Sequence, residues 1–488
     1  MTETLRDEVK RAVLWRSGSQ IMAQAVAWGS TLAVIRILDP ADYGLFAMTQ
    51  VVLAFLSFLN GSGFASSLIQ DREIDENKIR QGFGMLILVN GAIALIQLGL
   101  APLAAAWYRQ PLVADLLRVQ ALMYLATPFI AIPQVLLTRE LDFRRPAIAN
   151  TVATVVSAAV AITCALLDFG VWTLVYAPIA MFWTRAVTLM IASRFFMLPS
   201  FRFAGSGQMF NFGLMLLGSH FFWTIITQAD VFIASRTVDP HDLGLYAEGL
   251  FLTTLVANKF VPPLNEVAFP AYAKLQHDPA TLSASFLKAV RLIMLVTCPL
   301  YFGLAAVAPD AVAVVLGQKW AEMTPMVRIL SLAMPAMTLH ILFAPAVNAI
   351  GRPEISMRTS LFGVLVMPLA FVIGVRSGIE GLAWAWLLAF PLLPLFAFML
   401  ARKPLGINGR QLLAALAPGI GASAAMALPV HALGTALPDL DQWARLACQI
   451  ALGGAIYAAI LYLTSRATLT ELIALVFRRR APQIPAAG

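Results

Sequence analysis

RILDPADYGLFA at residues 36–47 returns 200 residues later as RTVDPHDLGLYA at 236–247. Seven of the twelve positions are identical: Arg36/Arg236, Asp39/Asp239, Pro40/Pro240, Asp42/Asp242, Gly44/Gly244, Leu45/Leu245 and Ala47/Ala247. Phe46/Tyr246 is a conservative pair. The shared D-P-x-D-x-G reads as a turn between two helices: Pro40 stops the first, Asp42 caps the next and Gly44 relaxes the turn. Weaker echoes follow in the same order. LLRVQAL at 116–122 matches MVRILSL at 326–332 and pairs Arg118 with Arg328. Arg145-Pro146 matches Arg352-Pro353, and FGVWTLVYA at 169–177 matches SGIEGLAWA at 377–385. The chain is therefore expected to contain two copies of one structural unit.

Composition says what kind of unit. The 488 residues are 60% hydrophobic and 12% charged, whereas soluble domains run at about 45–50% apolar and about 25% charged. A soluble enzyme and a disordered chain are both excluded. Apolar stretches of about 20 residues recur, each able to cross a hydrocarbon core of roughly 30 Å as a helix. The ten-residue alternation of an outer-membrane barrel is missing. The stretches number fourteen, at 12–37, 44–67, 82–107, 113–138, 147–167, 170–192, 208–235, 244–269, 286–308, 324–349, 356–376, 379–401, 411–432 and 443–465. Arg16 interrupts the first, and Pro262-Pro263 should break the eighth.

The expected fold is an all-α polytopic membrane protein. Spans 1–6 (residues 1–192) and spans 7–12 (208–401) form two pseudo-symmetric six-helix bundles. Two extra helices occupy 411–465, and a basic cytoplasmic tail occupies 466–488. Six is even, so both copies share one orientation, as in transporters built from parallel repeats.

The net charge of +8 would suggest nucleic acid in a soluble protein. Here the bases sit mainly in loops, where they set orientation, and no nucleic-acid partner is expected. With a cytoplasmic N-terminus, 22 Lys and Arg fall inside and 6 outside, which places both termini in the cytoplasm. The opening MTETLRDEVKRAVLW does not read as a secretory signal. Cys164, Cys298 and Cys448 lie within apolar stretches at spacings that suggest neither disulfide nor metal. No cofactor is expected. The basic cluster Arg478–Arg480 suits an anionic lipid surface. Small-residue runs at 418–427 and 451–459 allow close helix packing or a groove for a lipid tail.

A charge within a span costs about 2.5–3.5 kcal/mol at the helix centre on insertion scales, so it should face a cavity or a partner. The basic candidates for substrate binding are Arg16, Arg185, Lys259, Arg291, Arg118 and Arg328. Arg185 and Lys259 lie deepest and come first. Arg16 and Arg291 are near cytoplasmic ends, where long side chains snorkel, and Arg118 and Arg328 are repeat mates. Asp230, Glu248 and Glu266 are the acids inside the spans and the candidates for ion coupling. His220 and His340 are titratable extras, more often core histidines than proton relays. There is no Walker A sequence, no G-x-S-x-G, no H-E-x-x-H and no C-x-x-C, and the outside loops are too short for a catalytic domain. A non-enzyme is expected, driven by a gradient, the potential or the substrate's fate.

Together the motifs VIRILDPADYGLFA (34–47), LTRELDFRRPAIAN (137–150), FGVWTLV (169–175), TQADVFIASRTVDPHDLGLYA (227–247) and FPAYAKLQHD (269–278) resemble the polysaccharide transporter (Wzx-type) family of the MOP flippase superfamily. The resemblance covers about residues 10–405. It implies a V-shaped pair of six-helix bundles and export of an undecaprenyl-pyrophosphate-linked glycan across the bacterial inner membrane for O-antigen, capsule or exopolysaccharide synthesis. It further implies alternating access through a basic cavity, membrane lipids as surroundings, and a polymerase of the same pathway as partner. One chain holding both bundles suffices as a monomer. A multidrug or cation antiporter of a related branch is the alternative, and would favour an acidic cavity. A membrane polysaccharide polymerase is a further one, and would need a sizeable periplasmic loop.

Overall fold

The computed structural model describes residues 20, 22–57, 76–140, 142–201 and 207–464, without the side chains of 207–220 and Phe260. Arg16, the side chain of His220 and the tail 466–488 lie outside the described residues. Hydrocarbon offers no partners to backbone N–H and C=O groups, so an apolar chain must satisfy them within helices. The described chain does so: it is helical throughout its apolar stretches and holds no strand. In order run α1 (Met22–Ile37), α2 (Pro40–Ser57), α3 (Glu76–Tyr108), α4 (Pro111–Gln120), α5 (Leu122–Arg139), α6 (Arg144–Leu166) and α7 (Trp172–Ser193). Then come α8 (Gly207–Ala234), α9 (Pro240–Lys274), α10 (Pro279–Val315), α11 (Thr324–Ala349), α12 (Pro353–Gly374), α13 (Gly378–Ala389) and α14 (Leu392–Ala401). α15 (Gly409–Ala436) and α16 (Gln442–Thr464) end the series. Each of the fourteen apolar stretches carries a helix, and the all-α membrane architecture stands.

The repeated motif is built differently from the turn its sequence suggests. Pro40 and Pro240 begin helices, at the position where a missing N–H costs nothing. Asp39 and Asp239 precede them, and Asp42 and Asp242 fall at the third helical position. In the first copy the Asp39 backbone N–H donates to Asp42 Oδ2 at 3.1 Å. In the second, the Asp242 backbone N–H donates to Asp239 Oδ1 at 3.0 Å. These are the two halves of a capping box. Asp42 therefore does cap, but from inside the helix that it starts.

Gly44 is inside the helix too, and its smallness serves an approach rather than a turn. A Cβ on Gly44 would overlap the Pro240 carbonyl oxygen and stand 3.0 Å from the Gly244 nitrogen. One on Gly244 would overlap the Pro40 carbonyl oxygen and stand 3.0 Å from the Gly44 nitrogen. The two copies of the motif thus cross each other backbone to backbone, with reciprocal contacts.

Other boundaries depart from the sequence reading for local reasons. α9 runs through Pro262, Pro263 and Pro270 as one helix. The prolines remove the donors that would have served the carbonyls four residues earlier, at Asn258, Lys259 and Glu266, without ending the helix. Span 12 is divided instead: α13 stops at Ala389 and α14 starts at Leu392, where Pro391 lacks an N–H and Pro394 conflicts with the Phe390 carbonyl. α10 continues to Val315, well past the expected end, which puts Asp310 inside a helix. Its start is capped by Asp278, whose carboxylate accepts from the Thr281 hydroxyl and N–H. Those bonds hold its carboxyl below the ordinary carboxylate range.

The chain falls into two compact units, Met1–Ala247 and Glu248–Gly488. In the first, Phe83, Leu86, Ile132, Val135 and Phe195 pack α3 against α5, and Leu116, Val171 and Val175 pack α4 against α7. Buried amides tie the helices where no water can. Gln97 donates to the Leu117 carbonyl at 2.7 Å and Gln120 to Thr49 Oγ1 at 3.1 Å. Trp107 stacks on Phe232 at 5.1 Å, and the Arg236 guanidinium lies 4.3 Å above the same indole.

In the second unit α10 is the spine. Gly419 of α15 lies against the Met294 backbone, where a Cβ would stand 3.0 Å from its carbonyl carbon. Tyr457 of α16 donates to the Leu295 carbonyl at 2.7 Å. Nearer the other end, Arg445 Nε donates to Asp310 Oδ1 at 2.9 Å, and Nη2 reaches the same oxygen. Arg445 Nη1 also reaches the Leu437 and Pro438 carbonyls at 3.3 and 3.2 Å. Asp310 is 6% exposed and Arg445 15%, so this ion pair ties the start of α16 to α10.

Two outcomes follow for stability. Gly44→Ala or Gly244→Ala should each destabilise by about 1–3 kcal/mol through overpacking, and the double variant should cost less than the sum, because one displacement relieves both. Arg445→Ala should also destabilise, by leaving Asp310 without its partner. Adding Asp310→Asn should recover much of that. Thermal unfolding of the detergent-solubilised protein reads all of these.

Candidate functional site

Arg185 lines a cavity of about 530 Å³ within the first unit. Gln20 lines it with Ala23, Gln24 and Ala27 of α1; α5 supplies Gln134 and Thr138; α6 supplies Asn150 and Thr154; α7 supplies Arg185. Thr138 donates to the Gln134 carbonyl at 2.7 Å and Thr154 to the Asn150 carbonyl at 2.8 Å. Each hydroxyl proton is thereby used one turn back on its own helix, and what remains toward the cavity is acceptor capacity. Gln134 Oε1 is buried and has no hydrogen-bond partner among the described residues. The same holds for Arg185 Nε, and no acidic side chain pairs with this guanidinium among the described residues.

A half-buried cation without an acid, ringed by amides and hydroxyl acceptors, suits a ligand with two properties. It should carry an anion for the guanidinium. It should also offer hydroxyl donors to Gln134, Thr138 and Thr154, which an apolar drug cannot do.

The remaining candidates are dispersed. Arg118 is exposed and pairs with Asp115 at 2.7 Å, an i,i+3 pair on α4. Its repeat mate Arg328 is half-buried on α11. Lys259 and Glu266 are exposed on α9, and Glu248 is half-buried near its start. Arg291 lines a separate cavity of about 270 Å³ with Lys288 and Gln411, in the second unit. His340 is half-buried, with its ring edge-on to Phe390 at 5.7 Å.

Asp230 is fully buried, as is Tyr246, and the tyrosine hydroxyl donates to Asp230 Oδ2 at 2.6 Å. The Val231 N–H donates to Oδ1 at 2.7 Å. The phenol of the second motif thus fixes the carboxylate at the end of α8, while Arg236 is engaged with Trp107. Sequence reasoning searched the spans for charges and so passed over Gln24, Gln134, Thr138, Asn150 and Thr154. The available signal was amides inside apolar stretches. Asp310 lies beyond residue 308, where the expected ninth span ends, and so is not among the charges that the spans single out.

A family profile described as polysaccharide biosynthesis protein matches residues 33–325, more than half of the chain. The chain belongs to that family. Among its relatives, the succinoglycan biosynthesis transport protein ExoT of Rhizobium meliloti (strain 1021) is 26% identical, over 100% of this chain and 99% of its own length. The lipopolysaccharide biosynthesis protein WzxC of Escherichia coli (strain K12) is 22% identical over 85% of each chain. Among solved structures, the lipid II flippase MurJ in an inward closed conformation superposes with a TM-score of 0.74 at 13% identity, covering 93% of this chain and 99% of its own. An inward-facing multidrug resistance MATE transporter of the MOP superfamily gives 0.60 at 13% identity, over 79% and 98%. This member of the polysaccharide biosynthesis family is therefore a multi-pass membrane protein with the fold shared by MurJ and the MATE transporter, and the motifs' resemblance to the Wzx-type family stands.

The Asp230–Tyr246 bond offers a direct check. Tyr246→Phe should destabilise by about 1–3 kcal/mol, because a buried carboxylate oxygen loses its donor. Adding Asp230→Asn should add little, as both changes break one interaction. Additive losses in thermal unfolding would mean that the two side chains act separately.

Proposed function

We propose that this protein is a flippase that moves undecaprenyl-pyrophosphate-linked oligosaccharide from the inner to the outer leaflet of the bacterial inner membrane, for polysaccharide synthesis. Supporting this are its family, the polysaccharide roles in its relatives' names and, above all, the cavity of Arg185. There the guanidinium meets the pyrophosphate, and the amides and hydroxyls meet the sugar. The polyprenyl tail stays in the bilayer. Rocking of two repeat bundles, residues 1–192 and 208–401, alternates access between the two faces. Both termini lie in the cytoplasm, one chain is sufficient, and a polymerase of the same pathway receives the glycan outside. Lys259 is the second substrate cation proposed, after Arg185.

The driving force proposed is the membrane potential. An inside-negative potential favours outward movement of an anion by about 2.3 kcal/mol per charge per 100 mV. Exchange through a single carboxylate would need an acid that opens to both sides, and Asp230 is closed in by Tyr246.

In proteoliposomes carrying a labelled lipid-linked oligosaccharide, Arg185→Ala should lower the initial flipping rate at least about tenfold, the loss expected for a charge-assisted contact, at equal incorporation. Lys259→Ala should lower it too, and Arg185→Lys should keep part of the activity. Full activity in Arg185→Ala would remove this cavity from the transport path. With potential and pH gradient set independently, the rate should follow the potential. A rate that follows the pH gradient at zero potential, and is abolished by Asp230→Asn, would overturn the coupling proposal.

A further inference from the structure

The chain that leaves α7 crosses the start of α3. Arg194 takes a left-handed backbone, with φ at 52°, and ends α7. Behind it the Phe195 N–H donates to the Met190 carbonyl at 3.1 Å, the closing bond of a Schellman turn. Residues 195–201 then run without helix or strand. The Ser200 N–H donates to the Arg80 carbonyl at 2.8 Å, and Arg80 Nε donates to the Leu198 carbonyl at 3.0 Å. Gly84, one turn further along α3, permits this approach, because a Cβ there would overlap the Ser200 carbonyl oxygen.

Side chains alternate along this strap. Phe195 is buried in the core that packs α3 against α5, edge-on to Phe83 at 5.1 Å. Met197 packs against the same core. Phe196 and Leu198 are 73% and 74% exposed, and Phe201 is 54% exposed. Such alternation is that of an extended chain with one face docked. The outward face is apolar as well, and nothing among the described residues covers it. Large apolar side chains grouped in the open mark a contact with something else.

Position selects what covers it. α7 has 22 residues, about 33 Å of helix against a hydrocarbon core of roughly 30 Å. Phe169, Trp172 and Tyr176 cluster at its first end, as aromatic residues do at a membrane interface. The chain leaving its other end is therefore at the opposite polar boundary, in the leaflet that the charge count reads as cytoplasmic. Arg194 is exposed at the start of the strap, and Arg80 is half-buried beside it. Apolar side chains flanked by arginines suit the depth at which acyl chains meet anionic headgroups.

We infer that residues 195–201 form a strap that anchors the first unit in the cytoplasmic leaflet, with Phe196, Leu198 and Phe201 inserted among the lipids at the headgroup boundary. Phe195 fixes the same strap to α3 and α5, so the lipid contact bears on the end of α5 that supplies Gln134 and Thr138 to the cavity. This anchoring is independent of the transported molecule. A soluble protein and a second copy of the chain are the competing occupants of the face.

Spin labels test this in the full-length protein carrying Cys164→Ala and Cys448→Ala, Cys298 being fully buried. Phe196→Cys, Leu198→Cys and, as a reference, Asn77→Cys in the exposed first turn of α3 are each labelled and reconstituted into vesicles containing phosphatidylglycerol. These side chains make no core contact, so labelling them leaves the fold intact. Power saturation then compares collisions with oxygen, which enters lipid, and with a nickel chelate, which stays in water. Labels at 196 and 198 should show an oxygen-to-nickel ratio several-fold above that at 77. A ratio at 196 and 198 no higher than at 77 would overturn the proposal and leave the face open for a soluble partner. Loss of both collisions, with dipolar broadening between labelled copies, would overturn it in favour of a second copy.

Discussion

The crossing of Gly44 and Gly244 sets what the neighbouring elements can do. Two helix starts lie backbone against backbone, each pointing a proline carbonyl at the other's glycine. No side chain fits there, so the approach is fixed by backbone geometry rather than by compressible packing. The capping bonds from Asp39 N–H to Asp42 and from Asp242 N–H to Asp239 mark where each helix begins. From those starts the other contacts are measured. Tyr246, two residues beyond Gly244, reaches Asp230, and Asp42 lies beside Gly170 at the entry to α7, where a Cβ would stand 3.1 Å from its carboxylate oxygen. Arg185 sits further along that same helix.

The polar side chains in the spans divide by how they are satisfied. Asp310 and Arg445 neutralise each other and hold α16 to α10. Asp230 is bound by a phenol and a backbone N–H. Arg118 is paired with Asp115 at the surface. Such groups recover their desolvation cost inside the protein and leave little for a ligand. Arg185 differs: its guanidinium is half-buried beside a cavity of amides and hydroxyls, with no acid to neutralise it among the described residues. In the proposed function an anion would return the free energy of placing it there, which is why this cavity carries that proposal.

The fold was legible because hydrocarbon enforces it. Length and apolarity alone mark a helix where unpaired backbone is forbidden, and the copies of the motif at 36–47 and 236–247 are read directly from the residues. Arg185 was legible for the same reason, as a charge that needs an explanation. The neutral part of its cavity was not, because Gln134, Asn150 and Thr154 carry no comparable cost and their directions depend on how α5 and α6 pack. Proline was the least readable residue. Pro262 and Pro263 sit within a helix that continues, whereas Pro391 and Pro394 accompany a break. The local loss of donors is alike in both, so neighbouring packing decides the outcome. Asp310 was hidden by helix length, since α10 continues past the point where apolarity fades.

The differences between the copies are as informative as their identities. Gly170 and Gly378, equivalent in the repeat, both take positive φ, at 54° and 72°, so even the weak echo preserves a backbone demand. The chemical groups are not preserved. Counting from those glycines, the residue matching Arg185 is Leu393, fully buried in its core. At the offset of 200, Asp230 matches Ser30, whose hydroxyl bonds its own helix at the Ala27 carbonyl, and Tyr246 matches Phe46. A group required by the helical framework alone would be needed in both copies. Arg185 and the Asp230–Tyr246 pair occur once each, with Leu393 at one matching position and Ser30 and Phe46 at the others. For Arg185, which has no acid beside it among the described residues, the proposed transport of an anionic, hydroxylated molecule would be a task for one copy alone; the Asp230–Tyr246 pair is satisfied internally and calls for no ligand.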